Sequence, residues 1–271
     1  MQELADQLLV NVQVLIDLGV GWRWPQVKGD PQPQADGQEP EPGSWDYPMR
    51  DGSGQIVGVH RRMAKLVRRN GKLTNKLMRY GSRLGLVYAP AVWDKGGPVL
   101  LVEGMTDTAA LMELGISAIG RPNDKAGADQ LAELLADLEP DRQVLVVGER
   151  DQKADGRWPG RDGAIHVAKR LAEQLGRPVG WSLCPELGEA KDTRAWWTAQ
   201  HDAGMPADQA AALLLSQLID TQELIDPPAP LPTIDCRQTD DVVSLEQQRQ
   251  LLQQRVLGLL DLAGTLGGLV L

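Results

Sequence analysis

The chain of 271 residues contains no phenylalanine, three tyrosines, two cysteines and three histidines. So few cysteines and histidines, scattered along the sequence, exclude a zinc ribbon, and we expect no zinc. Cys184 and Cys236 are far apart in the sequence, which is typical of reduced core thiols in a cytoplasmic protein. With so few aromatic residues, the core must consist mainly of Leu, Val, Ile and Ala.

Long apolar runs are also missing. No stretch of about 18 apolar residues occurs, and no secretory signal is present, so we expect no membrane partner and a cytoplasmic location. The sequence has no G-x-x-x-x-G-K-[ST] motif, which excludes a P-loop ATPase of that type. At 271 residues, with 42% hydrophobic and 24% charged residues, the chain has the composition of one large or two modest globular domains.

Acidic residues are absent from one stretch. No Asp or Glu occurs between Gly52 and Trp93, although the net charge of the whole chain is −9. Nine cations occur there, so the rest of the chain carries about −18; they are Arg61, Arg62, Lys65, Arg68, Arg69, Lys72, Lys76, Arg79 and Arg83. This distribution suits a phosphate backbone beside a metal-binding lobe, and the alternative is a solvated basic face that binds nothing.

Two apolar runs end in carboxylates. Residues 99–102 (VLLV) lead into Glu103, and residues 144–147 (VLVV) lead through Gly148 to Glu149 and Asp151. Runs of this length and composition predict strands buried on both faces, each followed by a helix. Because ligands bind at the carboxyl ends of parallel strands, we expect Glu103, Glu149 and Asp151 to share one crevice. Three carboxylates repel one another there, but they suit Mg²⁺, or Mn²⁺ in its place.

The pattern along the chain predicts an α/β fold with a parallel sheet flanked by helices, preceded by a small β-rich subdomain and followed by helices. The predicted organisation is an N-terminal helix in 1–24 (residues 2–18), a Pro-rich linker 25–44, the basic β-rich subdomain 45–93, an α/β domain 94–186, a helical extension 187–226, a second linker 227–242 and a C-terminal helix 243–271. In the β-rich part we predict strands at 47–50 and 55–59 around a turn at 51–54, and a strand pair within 76–89. In the α/β part we predict strands at 99–102, 116–119, 144–147 and 179–183, and helices at 106–114, 128–138, 163–175 and around Trp196, with a further helix at 207–224.

These residues together resemble the Toprim domain that topoisomerases share with primases of the bacterial and phage primase-helicase type. Val102-Glu-Gly104 with Asp107 is similar to the first Toprim motif, and Glu149-Arg-Asp151 is similar to the second, which is usually Asp-x-Asp. The preceding segment resembles the sheet before Toprim in primases, through residues 47–51 (YPMRD), 54–58 (GQIVG) and 81–86 (GSRLGL). The resemblance covers roughly residues 45–200. Glu149 departs from the motif because its side chain is one methylene longer than Asp.

The resemblance implies a primase-type nucleotidyltransferase that makes short RNA primers, without a zinc ribbon or a helicase motor. Its partners would be a single-stranded DNA template, ribonucleoside triphosphates and a replicative helicase. Two alternatives stay open: a metal-dependent Toprim nuclease, and a non-catalytic nucleic-acid-binding module. A topoisomerase is disfavoured because all three tyrosines precede the acidic strand ends.

The resemblance also assigns roles to residues. Glu103, Glu149 and Asp151 would be the catalytic and metal-binding carboxylates, with Asp155 a further candidate ligand and Glu103 alternatively the general base. The candidate cations for template and triphosphate are Arg61, Arg62, Lys76, Arg79, Arg83, Arg121 and Lys191. Asp107 is interpreted as a first-turn residue that complements the helix dipole. Lys191-Asp192 is either a helix-start pair or part of a short motif that often follows Toprim.

Overall fold

The computed structural model describes residues 1–25, 42–69 and 71–229. The prediction of a linker therefore lies mostly outside the described residues at 26–41. The same holds for most of the second linker, for the C-terminal helix at 243–271 and for Cys236. Cys184 is a buried free thiol, as predicted.

The N-terminal segment forms two short helices, α1 (Gln2–Leu8) and α2 (Val12–Asp17). The prediction of one helix over 2–18 is wrong because Leu9 adopts a left-handed conformation, with φ of 54°. Asn11 then starts α2 by accepting a hydrogen bond from the Gln13 N–H over 2.9 Å. The predicted apolar stripe, which includes Leu4 and Leu15, is nevertheless buried.

Sheet A is antiparallel and has the order β1-β2-β3-β4. Its strands are β1 (Gly21–Arg23), β2 (Ser44–Arg50), β3 (Ile56–Arg69) and β4 (Lys72–Met78). The turn predicted at 51–54 is confirmed, and the Asp51 carboxylate accepts hydrogen bonds from the N–H groups of Ser53 and Gln55. The strand pair predicted within 76–89 is wrong, because β4 ends at Met78 and its partner is the long strand β3.

Sheet B has the order β6-β5-β7-β8-β9, with β9 antiparallel and the other strands parallel. Its strands are β5 (Val99–Glu103), β6 (Ser117–Arg121), β7 (Val144–Gly148), β8 (Val179–Leu183) and β9 (Glu223–Ile225). The four parallel strands lie close to where the apolar runs predicted them. The segment of β9 was predicted to belong to the preceding helix, which instead ends at Asp220.

Helices cover both faces of sheet B. They are α3 (Gly104–Glu113), α4 (Ala128–Leu134), α5 (Pro159–Leu175), α6 (Thr193–Asp202) and α7 (Ala207–Asp220), and a short 3₁₀ helix spans Pro90–Asp94. Alternate strand residues point to opposite faces, so Leu101 packs with α4 and α5, whereas Leu100 packs with α3, α6 and α7. A third core joins α1 and α2 to sheet A and to α3.

The predicted α/β architecture is therefore confirmed: a largely parallel sheet flanked by helices, preceded by a β-rich unit. Within the described ranges, none of the helices has the length and apolar character that crossing a bilayer requires.

Candidate metal centre and crevice

Three carboxylates converge at the carboxyl edge of sheet B. Asp107 lies in the first turn of α3, Glu149 directly follows β7, and Asp192 precedes α6. One carboxylate oxygen of each residue lies within 4.8 Å of the others. Asp107 and Asp192 are 5% and 8% exposed. Buried oxygen ligands at this spacing fit a hard divalent cation, and we refer to these three residues as the acidic cluster.

Glycines bring the ends of the strands close to the helices that follow them. Gly104 has φ of +77°, which turns the chain from the end of β5 directly into α3. A Cβ atom on Gly160 would lie 2.4 Å from the carbonyl oxygen of Glu149, so the start of α5 is in contact with that backbone. Only glycine permits this approach, which fixes the position of Glu149.

Asp107 and Asp192 are held by the start of α6. Thr193 Oγ1 donates to Asp107 Oδ1 over 2.7 Å, and the Arg194 N–H donates to the same oxygen over 3.1 Å. Asp192 accepts a hydrogen bond from the Ala195 N–H over 2.8 Å. Burial, followed by the nearby Asp192 charge, raises the pKa of Asp107 well above its usual range. A bound cation would reverse this shift because it stabilises both anions.

Glu103 lies beside the acidic cluster at the end of β5 and lines the same crevice as Glu149. Burial raises the pKa of Glu103, and the neighbouring Glu149 charge raises it further. The cation of Arg121, which is paired with Glu103 in the sheet register, acts in the opposite direction. Glu103 and Glu149 therefore do share one crevice, as the strand ends predicted.

Asp151 and Asp155 are placed differently. Asp151 accepts a hydrogen bond from the Gly160 N–H over 2.8 Å and forms an ion pair with Lys153 at 3.1 Å. Burial alone would raise the pKa of Asp151, but this hydrogen bond and the Lys153 cation more than compensate, so that it lies below the usual range. Asp155 is half exposed and paired with Arg157. Neither carboxylate belongs to the acidic cluster, and their role as ligands stays a prediction.

A crevice of about 440 Å³ opens between sheet A and the carboxyl edge of sheet B. The acidic cluster and Glu103 line it together with five cations from sheet A, sheet B and the segment around the start of α6: Arg62, Lys76, Arg121, Lys191 and Arg194. A larger depression of about 570 Å³ lies at the opposite edge of sheet B, where Arg142 is bound by backbone carbonyls, and it contains no member of the acidic cluster.

The cations of the crevice are held in different ways. The fully buried Arg121 donates to the carbonyl of Asp124 over 2.6 Å and to that of Val147 over 3.1 Å. Burial lowers the pKa of Arg121 to about 10, so it stays charged at neutral pH. Lys191 Nζ lies 3.2 Å from Glu149 Oε2. These contacts place positive charge next to the acidic cluster.

The remaining predicted cations do not line this crevice. Arg61 is buried at the centre of sheet A, with its Nε 3.7 Å from Asp46 Oδ1. Arg79 and Arg83 are exposed in the loop after β4. Arg194, by contrast, was not predicted. Its position depends on α6 packing against α3, a contact between distant segments that the sequence pattern does not reveal.

No protein-family model matches the chain, and no curated protein matches it in sequence. Solved structures do match its fold. The E. coli primase catalytic core is 17% identical, with a TM-score of 0.55 over 80% of this chain and 72% of that one. A DnaG primase catalytic domain bound to ssDNA is 18% identical, with a TM-score of 0.51 over 80% and 77% of the two chains.

A DNA primase domain from Pseudomonas aeruginosa is 19% identical, with a TM-score of 0.51 over 81% of this chain and 70% of that one. At such low identity these likenesses show a shared fold only. It is the fold that the resemblance of the motifs around Glu103 and Glu149 predicted. The described part of the chain therefore has the fold of primase catalytic cores.

Proposed function

We propose that the chain is a primase-type nucleotidyltransferase that makes short RNA primers on single-stranded DNA. The observation that carries this proposal is the crevice itself, whose lining combines the acidic cluster and Glu103 with cations from sheet A and sheet B. In the proposed reaction a 3′-hydroxyl attacks the α-phosphate of a ribonucleoside triphosphate, and pyrophosphate leaves. The likeness to primase cores supports primer synthesis in general terms.

The donor set fits Mg²⁺ or Mn²⁺, because its three carboxylates are close enough to bind one ion and two of them are buried. Asp107, Glu149 and Asp192 would hold the cation, with Asp151 a further candidate. Such a cation lowers the pKa of the attacking hydroxyl and neutralises charge that builds up on the phosphate. Glu103, whose pKa is raised, would accept the proton of the hydroxyl or serve as another ligand.

The cations of the crevice would bind the anionic substrates. Arg62 and Lys76 come from sheet A, and Arg121 from sheet B, so phosphates between the two sheets would meet positive charge from both sides. Arg79 and Arg83 are exposed, and in the sequence they lie between Lys76 and Leu84, which both line the crevice. They would bind the template backbone. That a helicase supplies the template is likewise part of the proposal.

A nuclease could use the same carboxylates. The cationic wall of sheet A favours synthesis, because a polymerising site must hold a triphosphate and a template strand at once, whereas hydrolysis needs one strand and water. A non-catalytic module needs no cluster of three carboxylates, two of them buried, because their mutual repulsion costs stability.

The test is to incubate the chain with single-stranded DNA, labelled ribonucleotides and Mg²⁺ or Mn²⁺. New short RNA supports the proposal, shortened DNA indicates the nuclease, and neither product indicates the binding module. Glu149→Gln should reduce synthesis at least about a hundredfold, because metal and phosphate charge would no longer be balanced. Glu173→Gln, on the exposed side of α5, is the matched control and should retain wild-type synthesis.

A further inference from the structure

The β3–β4 hairpin extends beyond sheet A. The pairing of β2 with β3 ends at Met63, and the Ala64 N–H donates the last contact, to the carbonyl of Gly43 over 2.8 Å. From Lys65 onward β3 pairs with β4 alone, through Val67–Thr74, Arg68–Leu73 and Arg69–Lys72. We call residues 65–69 and 71–74 the ribbon; at about 3.3 Å per residue it projects about 15 Å.

A bulge in β3 separates the ribbon from the rest of sheet A. Between the pairs Arg62–Lys76 and Val67–Thr74, β3 advances by five residues and β4 by two, so β3 carries a bulge that contains Lys65 and Leu66. Bulges of this kind bend a strand and increase its twist. Arg68 Nη1 donates to the carbonyl of Gly71 over 3.0 Å, which ties the tip of the ribbon together.

The surface of the ribbon is exposed and cationic. Lys65, Arg68 and Lys72 are exposed, and among the described residues no carboxylate lies within 4 Å of their charged groups. Leu66 and Leu73 are 63% and 59% exposed. A two-stranded ribbon with no packed face is marginally stable in water, and its like charges repel one another. Both costs are offset when a polyanion binds.

The charge and shape of the ribbon favour duplex DNA over a protein strand or a single-stranded nucleic acid. Lysines along an exposed edge oppose the addition of a protein strand. Single-stranded nucleic acid is bound largely by aromatic stacking, but no Phe, Trp or Tyr occurs between Tyr47 and Tyr80. The major groove of B-form DNA is about 12 Å wide and admits a two-stranded ribbon, whose cations then face phosphates on both sides.

We propose that the ribbon is a second nucleic-acid contact, which grips the phosphate backbone of duplex DNA outside the crevice. The crevice contains the acidic cluster and takes single strands and nucleotides under the proposed function, whereas the ribbon needs neither metal nor nucleotide. Its binding partner can therefore be tested in the absence of both.

The experiment measures the fluorescence anisotropy of a labelled 20-base-pair duplex with the full chain, in EDTA and without nucleotides, over a series of salt concentrations. The triple variant Lys65→Gln, Arg68→Gln, Lys72→Gln should bind at least about tenfold more weakly near 0.1 M salt, and its salt slope should fall by about 2–3. The control variant Lys95→Gln, Lys125→Gln, Lys169→Gln removes the same charge from exposed lysines outside sheet A and should bind as wild type does. Lys65→Arg, Lys72→Arg should retain binding.

Two parallel measurements identify the partner. A labelled 20-nucleotide single strand should lose much less affinity in the ribbon variant than the duplex does. Vesicles with anionic lipids should bind wild type and ribbon variant alike. The proposal is overturned by unchanged duplex affinity in the ribbon variant, by equal losses in the control variant or on single strands, or by a loss confined to vesicles. Because metal is absent throughout, these results are independent of whether the chain synthesises primers.

Discussion

Thr193 Oγ1 donates a hydrogen bond to Asp107 Oδ1 over 2.7 Å and so connects the start of α6 to the first turn of α3. This contact joins residues 86 positions apart in the sequence. It orients one carboxylate of the acidic cluster and favours its ionised form, since the hydroxyl donates to the anion.

We expect Thr193→Val, which keeps the shape of the side chain, to destabilise the protein by about 1–3 kcal/mol because the buried Asp107 loses a donor. Urea unfolding measures the change in the free energy of unfolding. Thr198→Val is the control, because the Thr198 hydroxyl donates its hydrogen bond to the Arg194 carbonyl within the same helix, α6. Equal stability of Thr193→Val and wild type would contradict the role of this bond.

Divalent cations should stabilise the fold through the acidic cluster. At free Mg²⁺ of about 100 times the dissociation constant, the free energy of unfolding should rise by about 2.7 kcal/mol, since the unfolded chain has no such cluster. Thermal melts in Mg²⁺ and in EDTA measure the difference.

For Glu149→Gln we expect most of this Mg²⁺ effect to disappear. In EDTA the variant should lie within about 1 kcal/mol of wild type, because it relieves repulsion in the cluster while losing the exposed Lys191 pair. Glu173→Gln should respond to Mg²⁺ as wild type does. An identical response in Glu149→Gln would remove Glu149 from the metal centre.

The stability of the protein should fall as the pH falls from 6.5 towards 4, in part because of His60. Burial, together with the Lys76 cation, lowers the pKa of His60 from 6.5 to about 4, and its Nδ1 is buried without a hydrogen-bond partner. In this range the unfolded chain binds the proton and the folded chain does not, so acid favours unfolding. The full effect is on the order of 3 kcal/mol, at about 1.36 kcal/mol per pKa unit.

Urea titrations at several pH values measure this dependence. His60→Gln should flatten the slope between pH 6.5 and 4, whereas His166→Gln, at an exposed position on α5, should leave it unchanged. If both variants kept the wild-type slope, the buried state of His60 would not contribute to acid sensitivity.

Neutralising Arg79 and Arg83 should weaken the binding of single-stranded DNA and reduce its salt dependence. With Arg79→Gln, Arg83→Gln we expect the salt slope to fall by about 1.4, at about 0.7 per phosphate contact on a single strand. Anisotropy of a labelled oligonucleotide against salt concentration measures it. Lys95→Gln, Lys169→Gln carries the same charge change as a control, and an unaltered slope in the arginine variant would exclude both arginines as template contacts.

The parallel core was predictable because its strands are short apolar runs that end at glycines and carboxylates. The helix break at Leu9 was not, since a positive φ at leucine leaves no trace in the pattern. The far half of β3 was missed because a strand without a buried face shows no alternation of apolar and polar residues. The dipeptide Asn70-Gly71 is a strong hairpin signal that could have indicated this strand.

The site was predictable in part. Glu103 and Glu149 follow neighbouring strands, so the topology alone brings them together. Asp107 was interpreted as a helix-dipole residue, and Asp192 as part of either a helix-start pair or a short motif that often follows Toprim. Asp192 does begin α6, but its proximity to Asp107 depends on the packing of α6 against α3. The sequence spacing carries no information about that contact.

Residues 86 and 87 join the two sheets directly. Leu86 exchanges both backbone hydrogen bonds with Arg50 of sheet A, at 2.7 and 2.8 Å, and Val87 exchanges both with Gly120 of sheet B, at 2.8 and 2.9 Å. The four backbone hydrogen bonds of this dipeptide thus fix the separation of the two crevice walls. The width of the crevice is therefore set before a substrate binds, and no part of the substrate's binding energy is needed to bring the two sheets together.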